Sequence, residues 1–317
     1  MKIVLVTPAP PQLRNGNRLT ALRWAGILRQ LGHDVKVLEH YDRQEYDLMI
    51  ALHARRSAES IRRFHELHPE SPLVVVLTGT DLYRDIRVNS KARESLEVAT
   101  CLVVLQSRAL NELPARLHGK TRVIYQSAPR MNGRVSNRNG FKVCVIGHLR
   151  PEKDPMRTAL AVRRLPPSSR ITVVHIGRAL QEQLGRRAAR ENRTNPRYRW
   201  VGELPNRKAR RVLANSHLLS LTSRIEGSSN VLSEAVASSV PVVAARIPGL
   251  MGTLGRDYPG YFSVGDTAGL TSLLHRAESD PVFYQKLKSH CKRLYSLVSP
   301  ARERASLKAL LREATAY

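Results

Sequence analysis

Arg224-Ile225-Glu226-Gly227-Ser228-Ser229-Asn230-Val231-Leu232-Ser233-Glu234-Ala235, followed shortly by Val240-Pro241-Val242-Val243-Ala244, is the stretch that decides the fold. A polar loop of small residues opens a helix, and the apolar run after it reads as the next strand of an α/β array. The unsatisfied N–H groups and positive dipole end at a helix start suit a diphosphate. Glu226 lies in the loop, and Glu234 falls on the second helical turn, where it could reach a ribose. Seven residues separate the two carboxylates. Glutamates at this spacing also occur on ordinary solvated helices; the Gly-Ser-Ser-Asn between them favours a ligand site.

The same alternation extends in both directions. Apolar runs at 141–147, 171–177, 198–201, 218–221 and 240–244 each lead toward a helical pattern. An earlier series has strands at 2–7, 34–38, 47–52, 73–77, 100–105 and 123–125, with helices at 17–31, 57–67 and 107–117. Continuous rather than alternating apolar runs suit parallel strands covered on both faces. The polar stretch between the two series, with Gly133 and Gly140, reads as a linker. The fold expected is therefore α/β with two Rossmann-like, doubly wound domains facing a central cleft. Its divisions are an N-terminal domain at 1–130, a linker at 131–140, a second domain at 141–300, and a helix at 301–317 packing back on the first domain.

The chain has 317 residues, of which 42% are hydrophobic and 25% charged, an ordinary composition for a globular protein of about two domains. Pro8 breaks the first apolar run too early for a signal peptide, and no stretch reaches membrane-spanning length. Cys101, Cys144 and Cys291 are isolated and odd in number. They read as reduced thiols of a cytoplasmic protein without a metal cluster. The net charge of +26 attracts anions of any kind. Its densest clusters, Arg186-Arg187-Ala188-Ala189-Arg190 and Arg207-Lys208-Ala209-Arg210-Arg211, lie on helical segments without interleaved aromatics. They read as solvated helix faces rather than a stacking platform for nucleic acid.

Three further loops follow strands. Pro10-Pro11-Gln12-Leu13-Arg14-Asn15-Gly16-Asn17-Arg18 offers a glycine for close approach, Asn17 as a helix cap, and two arginines as anion donors. Leu77-Thr78-Gly79-Thr80-Asp81-Leu82-Tyr83-Arg84-Asp85 sets hydroxyls and a carboxylate beside a glycine; the bland reading is a turn with Asp81 as cap. His53-Ala54-Arg55-Arg56 also follows a strand. In Ile146-Gly147-His148-Leu149-Arg150-Pro151-Glu152-Lys153-Asp154, a glycine ends a strand and basic residues follow. Arg150 and Lys153 there could neutralise a departing diphosphate.

Together these residues resemble the GT-B glycosyltransferases of the family-4 type. The resemblance implies that Lys153 contacts the diphosphate, that Glu226 contacts the donor sugar, and that Glu234 holds the ribose hydroxyls. Gly227, Ser228, Ser229 and Asn230 would supply backbone donors. The family's Gly-Arg is Gly147-His148 here, with Arg150 as an alternative carrier of the arginine role. The first-domain segments, Asn15-Gly16-Asn17-Arg18, Ala51-Leu52-His53-Ala54-Arg55-Arg56 and Leu77-Thr78-Gly79-Thr80-Asp81, are similar to the selenosugar synthases of selenoneine biosynthesis (SenB type).

That resemblance implies joining selenophosphate to C1 of UDP-N-acetylglucosamine or UDP-glucose, with UDP released and a selenosugar left after phosphate loss. Site residues implied are Lys153, Glu226 and Arg150 for catalysis. For the donor they are Gly147, His148, Gly227, Ser228, Ser229, Asn230, Glu234 and Gly16. For the acceptor they are Arg14, Asn17, Arg18, His53, Arg55, Thr78, Gly79, Thr80, Asp81 and Arg84. No Asp-x-Asp metal motif occurs in the sequence, so no metal is expected, and neither nucleic acid nor stable membrane insertion is expected from the charge and hydropathy patterns above. The alternatives are an ordinary family-4 transferase acting on a hydroxyl, and a non-catalytic binder of nucleotide sugars or nucleic acid.

Overall fold

A computed structural model describes residues 1–12, 15–135 and 140–315. Packing divides the chain into two units. Among the described residues, those of Met1–Gln126, Glu226–Ser229 and Pro300–Tyr317 form the first, and those of Ser127–Ile225 and Asn230–Ser299 the second.

In the first unit, six parallel strands, β1 (Lys2–Val6), β2 (Asp34–Leu38), β3 (Leu48–Leu52), β4 (Leu73–Leu77), β5 (Cys101–Val104) and β6 (Thr121–Val123), lie in the order β2-β1-β3-β4-β5-β6. Helices α1 (Gly16–Gln30), α2 (Ala58–Leu67), α3 (Ile86–Val88) and α4 (Ser90–Val98) connect them. The apolar runs are continuous because alternate residues serve opposite faces. Ile3 and Leu5 join Trp24 and Leu28 of α1 in one core layer, whereas Val4 and Val6 join Ile61 and Phe64 of α2 in the other. The order reverses between β1 and β3, so the loops after these strands flank the topological switch point.

The second unit repeats the device with β7 (Phe141–Ile146), β8 (Ile171–Ile176), β9 (Tyr198–Trp200), β10 (Leu218–Leu221), β11 (Val242–Ala245) and β12 (Tyr261–Phe262), in the order β12-β11-β10-β7-β8-β9. Its helices are α5 (Arg157–Val162), α6 (Glu182–Thr194), α7 (Asn206–Ala214), α8 (Asn230–Ala237), α9 (Pro248–Leu254), α10 (Thr267–Ser279) and α11 (Pro281–Arg293). The switch point here falls between β7 and β10. The segment entering this unit is laid against it: Ala128 N–H donates to Val298 O at 3.1 Å, and the Arg130 guanidinium lies 3.9 Å from the Tyr295 ring centroid.

The last helix, α12 (Pro300–Ala314), completes the first unit. Leu307, Leu310 and Leu311 fill the α1 side of the core. Glu303, only 1% exposed, accepts from Trp24 Nε1 at 2.8 Å and from Arg23 Nε at 2.9 Å. A buried carboxylate needs such donors, and here they fix α12 on α1.

Several expectations are corrected. The stretch 107–117 is two short 3₁₀ segments, Ser107–Glu112 and Ala115–Leu117, rather than one α-helix. Pro114 disfavours a helical Leu113, which is extended at φ −99°, ψ 144°. The strand expected at 123–125 is β6, shifted to Thr121–Val123, where it pairs with Leu102–Val104. The strand expected from 240 starts at Val242; Pro241 has no N–H to give the sheet. The three cysteines, read as reduced thiols of core or surface, are all buried, and burial raises the Cys144 pKa to about 12. Among the described residues no helix is long and apolar enough to cross a membrane.

Candidate functional site

The carboxyl edge of the second unit's sheet carries Gly147 directly after β7. Its carbonyl lies 3.3 Å from His175 Nε2, and His175 Nδ1 lies 2.7 Å from the Tyr198 hydroxyl. One tautomer satisfies both contacts: Nε2–H donates to the carbonyl and Nδ1 accepts from tyrosine. Gly177 is glycine because a Cβ there would lie 1.9 Å from Gly147 O. Trp200 Nε1 donates to Gly177 O at 2.8 Å and closes the support. His148 Nδ1 accepts from Arg178 N–H at 3.1 Å, which orients the imidazole.

Lys153 ends a 3₁₀ turn, Pro151–Lys153, and its aliphatic stem covers the open side of Gly147. Thr222 Oγ1, just past β10, donates to Lys153 O at 2.9 Å and Asp154 O at 3.0 Å. Arg224 N–H donates to Glu152 O at 2.8 Å. The loops after β7 and β10 are thus tied together across the switch point, and a small cavity there is lined by Gly147, Lys153, Pro155, His175, Thr222 and Ser223. Arg150 is half-buried beside it in the sequence.

Burial drives His175 down to about 4, partly countered by its bond to Gly147 O. The folded protein therefore refuses a proton that the unfolded chain accepts below its ordinary value of 6.5. Stability from this group is fully present above that value and is lost as pH falls toward 4, by about 3 kcal/mol in total. Urea midpoints of the wild type and His175→Gln at pH 7.5 and 4.5 check this. The variant should be the less stable at pH 7.5 and should lose less on acidification; equal losses would remove His175 as the cause.

Glu234 sits on the second turn of α8, and Asn230 is the first residue of that helix. Asn206 Nδ2 donates to Glu234 Oε1 at 3.2 Å, and Arg210 Nε lies 3.8 Å from the same oxygen. The basic cluster at 207–211 is therefore not uniformly a solvated face: the Arg210 side chain is 11% exposed.

Glu226, Gly227, Ser228 and Ser229 pack within the first unit. A Cβ on Gly227 would lie 2.1 Å from Thr78 O, and one on Gly79, where φ is +152°, would lie 3.1 Å from Gly227 N. Two glycines thus let two backbones touch, and Glu226 is buried next to that contact.

The first unit's other nominated residues cluster after β3 and β4. His53 is buried with φ +73°; its Nδ1 accepts from Arg56 N–H at 3.3 Å, and its Nε2 lies 3.0 Å from Thr80 Oγ1. Burial lowers its pKa, with Asp81 pulling the other way. Asp81 neither caps a following helix by its side chain nor reaches solvent. Fully buried, it accepts from Thr78 and Gly79 N–H at 3.0 and 2.7 Å and from Ala54 N–H at 3.1 Å. It holds the two strand ends together, and a single π-helical turn, Asp81–Asp85, follows. Asp85, 2% exposed, has Arg55 Nε and Arg84 Nε each at 3.2 Å.

After β1 the helix cap is Asn15, whose Oδ1 accepts from Arg18 N–H at 3.0 Å. Asn17 is already helical, and Gly16 is the first helical residue. Arg18 Nε is buried without a hydrogen-bond partner. Arg14 lies outside the described residues. His175, Tyr198, Trp200, Asn206 and Arg210 were not legible as site supports. Only Asn206 and Arg210, one helical turn apart, left a local signal, and nothing in it pointed to Glu234. Among the described residues no three His, Cys, Asp or Glu side chains gather as a metal site.

Two doubly wound α/β units, each with polar loops at its switch point, define a protein of GT-B fold. The model of the family "Glycosyl transferases group 1" matches residues 131–293, just over half of the chain, and the chain belongs to that family. Anabaena HepE, crystallised with UDP and glucose, is similar at 17% identity and TM-score 0.75, covering 100% of this chain and 99% of that one. Sucrose-phosphate synthase from Thermosynechococcus elongatus is similar at 14% identity and TM-score 0.79, over 99% of each chain. A UDP-forming α,α-trehalose-phosphate synthase from Burkholderia xenovorans, in complex with glucose-6-phosphate, is similar at 10% identity and TM-score 0.73, over 99% of this chain and 100% of that one. A search of curated proteins found no match.

Proposed function

We propose that this transferase joins selenophosphate to C1 of a UDP-sugar, UDP-N-acetylglucosamine or UDP-glucose, in the cytoplasm. Selenium forms the bond to C1 as the bond from C1 to the diphosphate oxygen breaks. UDP leaves, and water then cleaves the P–Se bond to give phosphate and the selenosugar. Donor residues come from 141–300 and acceptor residues from 1–130. The UDP-sugar donor is supported by family membership and by the UDP-glucose complex of HepE.

The observation that carries the acceptor reading is the buried Asp85 with two half-exposed arginines on it. Arg55 and Arg84 bring two positive charges to the single carboxylate of Asp85, beside the His53–Thr80 pair, while the neighbouring Asp81 carboxylate is taken up by backbone N–H groups of Ala54, Thr78 and Gly79. Such a preorganised cation suits a compact oxyanion. The nucleophile is strong, so the protein's task is placing two anions and stabilising the leaving UDP.

The test is mass spectrometry of protein with each UDP-sugar, with and without selenophosphate. Selenophosphate-dependent UDP release with a selenium-isotope pattern in the sugar product supports the reading. UDP release only with hydroxyl acceptors overturns it. That outcome would favour the ordinary transferase reading, which the likeness to sucrose-phosphate synthase supports.

A further inference from the structure

Helix α7 belongs to the most basic part of the sequence, yet two of its residues, one helical turn apart, turn toward a single carboxylate oxygen. Asn206 Nδ2 donates to Glu234 Oε1 at 3.2 Å, and Arg210 Nε lies 3.8 Å from that atom. The other end of the Arg210 guanidinium is anchored too, through Nη2 on the Pro129 carbonyl. Both side chains of the Arg210–Glu234 pair are nearly buried, at 11% and 12% exposure, so their interaction is little screened by solvent. Arg210 Nε is buried and makes no hydrogen bond of its own. Its neighbour Ala209 is buried and Leu213 is fully buried, which fixes the rotation of α7 about its axis.

We infer that Asn206 and Arg210 are positioning residues that hold the Glu234 carboxylate oriented for the ribose hydroxyls of the nucleotide. The inference rests on the reading of Glu234 as the ribose ligand of a UDP-sugar donor. A carboxylate accepts from both hydroxyls of a diol only if its plane is fixed. The arginine, itself anchored on the Pro129 carbonyl, and the amide converge on one oxygen and fix that plane. Both residues act through Glu234 and not on the nucleotide. The remaining arginines of the cluster, Arg207 and Arg211, take no part in it.

The test compares inhibition by UDP and by 2′,3′-dideoxy-UDP in the full-length wild type and in Asn206→Ala, Arg210→Met and Arg210→Lys. The wild type is expected to prefer UDP clearly. Asn206→Ala and Arg210→Met should each shrink that preference about tenfold, the equivalent of one weakened charge-assisted hydrogen bond. Inhibition by the dideoxy compound should not change, KM for the UDP-sugar should rise more than kcat falls, and Arg210→Lys should recover part of the preference. A general structural defect would weaken both inhibitors alike, and that result overturns the inference. So does an unchanged preference in the variants. A wild type that does not distinguish the two inhibitors removes Glu234 as the ribose ligand, and the inference with it. Should Arg210→Met fail to fold, Asn206→Ala and Arg210→Lys carry the comparison.

Discussion

Replacing Lys153 by methionine is expected to lower turnover of the UDP-sugar by roughly a hundred- to a thousandfold, the loss typical of removing one preorganised charge at a developing anion. As the donor bond breaks, negative charge accumulates on the diphosphate, and Lys153 stands at the switch-point cavity where that charge would collect. Its backbone is clamped by Thr222 Oγ1, so the charge is delivered from a fixed turn and not from a mobile surface chain. Methionine keeps most of the stem that covers Gly147, which separates loss of charge from loss of packing. Steady-state kinetics beside a thermal unfolding curve check this. Full turnover in a folded variant would remove Lys153 from the reaction.

Gly227→Ala is expected to cost about a hundredfold in turnover, as a displacement of order 1 Å at a reacting centre does. The new methyl would meet Thr78 O at 2.1 Å, Thr78 C at 2.3 Å and Gly79 N at 2.7 Å. All three are backbone atoms of a turn pinned by Asp81, so the loop carrying Glu226 must yield. Forced overpacking of this kind also costs about 1–3 kcal/mol of stability. Kinetics with a UDP-sugar and a urea titration separate the two effects. Wild-type turnover in Gly227→Ala would mean that the backbone contact, and Glu226 beside it, do not serve the reaction.

Much of the architecture was legible because parallel strands buried on both faces leave continuous apolar runs. Ile3 through Val6 and Leu73 through Leu77 could be read without knowing what covered them. The loops after those strands could be nominated because the carboxyl edge of such a sheet is where ligands bind. Local chemistry misled at short range. Asn15 and Asn17 are equally good caps by composition, and only the backbone at Asn15, φ −96° and ψ 174°, decides between them. Asp81 read as a cap or an acceptor contact; three backbone N–H groups drawn from two strand ends occupy its side chain in place of a helix start.

The sequence by itself determined the two βα series, the glycines at their strand ends, the loops that carry Lys153 and Glu226, and the helix that carries Glu234. These are properties of neighbours along the chain: periodicity, turn chemistry and spacing. Only the tertiary structure decided which polar groups are buried and what satisfies them. His175 meets Gly147 across 28 residues, Arg210 meets Glu234 across 24, and Arg23 meets Glu303 across 280. Burial raises the cost of leaving a polar group unpaired, and a pairing partner is chosen by proximity in space, which no local pattern records.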